Sequence, residues 1–142
     1  MTEIPLCKTS IINATPKRTY TNGVIYEAES TFTSMGSHGG EYSSYLGISA
    51  PEGIMFEVEI EDSGIYEFGV YSASENNSDP EIEVYVGDEI QTSGSLSTTT
   101  TWTTFTNNNI GTLTLPSGKV SIYVKCTKGS FHIDCFTLNY IG

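Results

Sequence analysis

The sequence predicts an all-β fold, an antiparallel β-sandwich with little or no helix. Three observations point there. Apolar and polar residues alternate from residue 54 onward, the period of a strand with one buried face. Turn signals separate these runs at intervals of roughly ten residues, the spacing of a sandwich. No segment carries a helical period, and Ala-, Leu- or Lys-rich runs are absent.

In chain order, "IMFEVEI" turns Ile54, Phe56, Val58 and Ile60 to one side and Glu57 and Glu59 to the other. After the turn Asp62-Ser63-Gly64, "GIYEFGVY" presents Tyr66, Phe68 and Val70. "EIEVYVG" presents Ile82, Val84 and Val86, with Glu81, Glu83 and Tyr85 opposite, and closes at Gly87-Asp88. Pro116-Ser117-Gly118 opens "KVSIYVKC", with Val120, Ile122, Val124 and Cys126 in phase. A hairpin over Thr127–Ser130 then leads to "SFHIDCFTLNY". Its apolar set is Phe131, Ile133, Cys135 or Phe136, and Leu138, which requires a shift of phase mid-strand.

Three stretches read as loops: Thr31–Pro51, Ser72–Pro80 and Ser93–Thr101. Long loops on a rigid sandwich are the usual seat of binding. Residues 1–22 read as an N-terminal arm, a linker remnant or a short edge strand, and residues 23–142 as one domain. The 142 residues suffice for a single real core.

Six basic residues stand against 17 acidic ones, a net charge of −11. Such a chain repels phosphate backbones and anionic membranes, so neither is an expected partner. A neutral or cationic ligand, or a divalent cation, is compatible with the charge; so is a purely solubilising role. No apolar run is long enough to span a membrane. The N-terminus lacks the pattern of a signal peptide, so the chain is expected to be intracellular or a module of a longer secreted protein. Cys7, Cys126 and Cys135 fit neither a zinc site nor a disulfide framework. Free thiols, mostly buried, are expected.

Three features carry candidate chemistry. Trp102, the only tryptophan, stands in "STTTTWTTFTNNN". It reads either as a lid folded over one end of the sandwich or as an exposed platform. Sugar rings present apolar C–H faces that stack on such a ring, while neighbouring Thr and Asn side chains serve their hydroxyls. His132 points opposite to Phe131 and Ile133, near a strand end, and His38 lies in a loop. Glu27 and Glu29 share one strand face, and with Asp134 in the last strand they offer hard oxygen ligands of the kind calcium takes. No Ser-His-Asp or Cys-His arrangement or catalytic carboxylate pair stands out, which favours a binding module over an enzyme.

From about Val24 to Tyr140 the chain resembles the β-sandwich carbohydrate-binding modules of families 6 and 35. The resemblance rests on "IYEAES", on "GISAPEGIMFEVEIEDSGIYEFGVYSAS", on the tryptophan loop before "GTLTLPSGKVSIYVKC", and on the closing "GSFHIDCFTLNYI". It implies a jelly roll with a structural calcium held by Glu27, Glu29 and Asp134. It also implies a sugar site in the loops at one edge, with Trp102 as one aromatic and His132 where an asparagine is usual. The second aromatic falls near Gly47, and Gly53 replaces another; Tyr45 or Tyr42 would have to substitute. Some such modules bind on the concave sheet face, where Glu57, Tyr71, Glu83, Tyr85 and Tyr123 are candidates. A monomeric, non-catalytic module of a secreted glycoside hydrolase is therefore expected, with plant cell-wall β-glycan (xylan, β-glucan or mannan) as ligand. A structural or adhesion sandwich without a sugar site is the alternative, and a stand-alone glycosidase comes third.

Overall fold

A computed structural model of the protein describes residues 18–20, 23–27, 32–35, 40–41, 46–75 and 78–142, with side chains over the last two ranges. These residues form strands and no helix. In chain order they are β1 (Arg18–Tyr20), β2 (Gly23–Glu27), β3 (Phe32–Met35), β4 (Gly40–Glu41), β5 (Leu46–Ser49) and β6 (Gly53–Ile60). Then follow β7 (Gly64–Ala73), β8 (Glu81–Val86), β9 (Glu89–Ser95), β10 (Thr106–Leu115), β11 (Gly118–Lys128) and β12 (Ser130–Tyr140).

All pairings are antiparallel, and they build two sheets. The first runs β10–β7–β12. Beyond β12 lie β5 and β2, end to end along its other edge, flanked by β4 and β1 respectively. The second sheet runs β3–β6–β11–β8–β9. The period-2 alternation gives each sheet one apolar face, and the two faces meet in a single core. Phe136 is its hub, with ring centroids 4.8 Å from Phe56 and 5.8 Å from Phe68. The residues expected to point inward are buried, except Val86, which packs half-buried at the margin where β8 ends.

The phase shift in the last strand is a bulge at Asp134. On one side the register steps from Ile133↔Ser72 to Cys135↔Tyr71. On the other it steps from Ile133↔Leu46 in β5 to Cys135↔Glu27 in β2. One extra residue lets Phe131 and Ile133, then Phe136 and Leu138, all reach the core.

Several expectations need correction. The stretch read as a Thr31–Pro51 loop contains β3, β4 and β5, because short edge segments take their strand geometry from a neighbour rather than from their own alternation. Ser72 and Ala73 still belong to β7, and β9 reaches Ser95. The Thr127–Ser130 turn is no hairpin: β11 lies in the second sheet and β12 in the first. Gly129, at φ 77°, carries the chain between them, and its carbonyl accepts from Ala50 N at 2.9 Å. Tyr71 stands on β7 in the first sheet, so it cannot share a face with Tyr85 and Tyr123 of the second.

The cysteines divide. Cys126 is free and buried; burial pushes its thiol pKa up, against a smaller opposing effect of the Lys128 backbone. Cys135 is not a free thiol but disulfide-bonded. The bulge takes it out of the core phase, so it is buried outside the core cluster that holds Cys126. Cys7 lies outside the described residues.

Phe136→Ala should remove the ring shared by both sheets. The expected loss is about 3–5 kcal/mol of unfolding free energy by urea denaturation, with a leftover cavity.

Candidate functional site at the tryptophan loop

The loop between β9 and β10 is held from beneath by Asn108. This residue takes a core-facing position on β10, in register with Val70, and is 8% exposed. Its amide nitrogen donates to the Val70 carbonyl at 3.2 Å, Ser72 Oγ at 2.9 Å and the Thr106 carbonyl at 3.1 Å. Its Oδ1 accepts from Ser97 N at 2.9 Å, where the loop begins. The asparagines beside Trp102 are expected to line a ligand. Asn108 instead satisfies backbone, as a buried amide must.

The threonines also serve the loop. Thr98 N donates to Asp79 Oδ1 at 3.0 Å. Thr103 N donates to Thr101 Oγ1 at 3.2 Å, and Thr101 Oγ1 lies 2.7 Å from Thr104 Oγ1. A turn closes from Thr104 N to the Thr101 carbonyl at 3.4 Å. Short side chains that bond nearby backbone are suited to holding such a turn.

At the tip Trp102 is half-buried, and its ring lies against His132 on β12, centroids 5.1 Å apart and 45° between planes. His132 Nδ1 is 2.6 Å from the Trp102 carbonyl. A carbonyl only accepts, so Nδ1 is the donor. His132 stands in register between two small residues, Ala73 on β7 and Gly47 on β5, which leaves lateral room for the indole. The two residues singled out in sequence, 30 positions apart, thus form one unit.

The other candidates divide by position. Tyr42, Tyr45, Glu29 and His38 lie outside the described residues. Glu27 closes β2, directly in register with Cys135. Asp134 is 6% exposed, at the point where β2 and β5 part along β12. Asp134 is thus a buried acid whose neighbour in the strand register, Cys135, pairs with Glu27, and carboxylates are hard oxygen donors. Among the described residues no group of three metal-binding side chains occurs.

A second aromatic surface lies on the outer face of the second sheet. Tyr85 and Tyr123 are cross-strand partners, with ring centroids 6.0 Å apart. They border a depression of about 350 Å³ with Met55, Gly87, Asp88 and Lys125. The Tyr85 hydroxyl donates to Glu83 at 2.8 Å, which pushes its pKa up. A Cβ at Gly53 would collide with the Tyr123 ring, so the place where an aromatic is usual is covered by Tyr123.

No protein-family model matches the chain, and the search of curated proteins gives no match. Solved structures do match. A family 35 carbohydrate-binding module from an environmental isolate superposes with TM-score 0.68 at 18% identity, over 83% of this chain and 93% of that one. A CBM6 carbohydrate-binding module of Cellvibrio mixtus lichenase 5A, in complex with cellotriose, gives TM-score 0.65 at 19% identity, over 83% and 97%. The cycloisomaltooligosaccharide glucanotransferase of a Paenibacillus species gives 0.68 at 17% identity, over 92% of this chain but only 20% of that one. The fold is that of the family 6 and family 35 carbohydrate-binding modules. Against these modules, this chain has Gly47 beside His132 where a second aromatic was expected.

Asn108→Ala should unpin the loop. It strands buried donors and acceptors, each costing about 1–3 kcal/mol, and a lowered urea midpoint with an unchanged slope would report it.

Proposed function

We propose that the protein is a non-catalytic carbohydrate-binding module that holds an appended, secreted glycoside hydrolase on plant cell-wall β-glycan. The carrying observation is the Trp102–His132 unit, an indole only half-buried at a loop tip and joined to a histidine on the central strand. One sugar ring would stack on the indole, with His132 hydrogen-bonding at its edge. Xylan, β-glucan and mannan all present ring faces with axial C–H groups that can stack on an indole. The cellotriose-bound neighbour and the share of the glucanotransferase that this chain spans support a glycan ligand and a multidomain parent. The Cys135 disulfide supports an oxidising, extracellular setting. Tethering then raises local substrate concentration without new catalytic contacts. The module acts as a monomer in this reading.

Calcium, if bound by Asp134, Glu27 and Glu29, supplies positive charge that ties the first strands to the last. As a ligand of the folded state only, it raises stability by mass action. Chelation should lower the melting temperature, and Asp134→Ala should abolish that response.

A second reading places the sugar on the Tyr85–Tyr123 face, favoured by that pair and the depression beside it. Affinity electrophoresis in xylan, mixed-linkage β-glucan and mannan separates the two. Trp102→Ala should weaken binding by about 1–3 kcal/mol, one to two decades in Kd, with the fold intact. His132→Ala should cost less, about 0.5–1.5 kcal/mol. Undiminished binding by Trp102→Ala, with loss in Tyr85→Ala and Tyr123→Ala, would move the site to the second sheet. No retardation on any polysaccharide would leave a structural sandwich.

A further inference from the structure

We propose that Thr99 is the positioning residue of the tryptophan platform, a role that rests on the reading of Trp102 as the sugar-stacking ring. Thr99 and Ser74 clasp each other through reciprocal bonds. Ser74 N donates to Thr99 Oγ1 at 3.0 Å, and Thr99 N donates to the Ser74 carbonyl at 2.7 Å. The Thr99 hydroxyl has one proton. It goes to the Thr101 carbonyl at 2.8 Å rather than back to the Ser74 carbonyl at 3.5 Å. Ser74 is wholly buried, and its own hydroxyl donates to the Ser130 carbonyl at 2.7 Å.

These bonds close a ring that begins and ends on β12. From Ser130 it runs to Ser74, across to Thr99, on to Thr101 and its neighbour Trp102, and back through the Trp102 carbonyl to His132. Its two anchor points on β12 are two residues apart. One side chain, Thr99, is both acceptor and donor in the part that crosses from the sheet to the loop tip. The angle between indole and imidazole therefore depends on a hydroxyl that touches no ligand. Valine has the same shape without that hydroxyl, and serine has the hydroxyl without the methyl group.

The test compares Thr99→Val, Thr99→Ser and wild type, first without ligand. Acrylamide quenching of the single tryptophan should rise in Thr99→Val and return in Thr99→Ser, and the melting temperature should fall somewhat in the valine variant alone, which strands the Ser74 N–H. Affinity electrophoresis then uses whichever of xylan, mixed-linkage β-glucan or mannan the wild type binds best. Thr99→Val should bind roughly three- to tenfold more weakly, the worth of a hydrogen bond or two, and Thr99→Ser should bind normally. Should Thr99→Val fold poorly, Ser74→Ala opens the same ring at Ser130 and should raise quenching likewise. Unchanged quenching in the valine variant, or failure of serine to restore it, would overturn the assignment. Wild-type binding by Trp102→Ala would instead remove the platform itself, while the ligand-free quenching still judges Thr99.

Discussion

One extra residue in β12 sets the geometry on which the core and the candidate site both depend. Without the bulge at Asp134, a strand that buries Phe131 and Ile133 would turn Phe136 and Leu138 to the opposite face. Phe136 contacts aromatic rings from both sheets, so its loss from the core would separate them. The alternative register would keep Phe136 and bring His132 inward, away from Trp102. The bulge reconciles the two demands, with the aromatic hub on one side of the step and the outward histidine on the other. It also divides the far edge of β12 between two partners, β5 before the step and β2 after it.

That division brings two acidic residues and a disulfide-bonded cysteine to one point of the sequence register. Asp134 occupies the step, Glu27 ends β2 beside it, and Cys135 follows with its disulfide. A strand edge shared by two short segments has few ladder bonds to hold each one. The Cys135 disulfide thus sits where pairing is thin, at a position that the bulge removes from the apolar phase. The free Cys126 shows the contrast: it keeps the core phase of β11, is buried among aliphatic side chains and has its thiol kept protonated by burial.

The polar surroundings of Trp102 follow from a related constraint. An apolar loop would draw the indole into the sandwich, since burying a ring of that size is strongly favourable. Threonine and asparagine hold the loop by directed bonds instead. Asn108 fixes its root against β7, Thr99 grips Ser74, and Thr101 braces the tip. The ring is thus kept half-exposed against His132 without depending on hydrophobic contact. Directed bonds also fix the orientation of the ring.

The residues of β6, β7, β8 and β11 determined their own fate. Their alternation alone named the buried face, because a pleated strand with one wet side can satisfy apolar burial in only one phase. The need for a shift within β12 was legible for the same reason, as were Trp102 and His132 by their unusual company. Other features required the third dimension. β3, β4 and β5 carry no alternation of their own and became strands only by pairing at an edge. Asn108 and Ser74 look like ordinary loop polars, and only the packing of β10 and β7 buried them among backbone groups that need partners. The Gly129 turn passes between sheets instead of within one, which local turn chemistry does not distinguish. Cys135 left the core because the bulge fell just before it. Local periodicity decides which face of a strand avoids water; which strands meet, and which polar groups they enclose, depends on contacts between residues far apart in the chain.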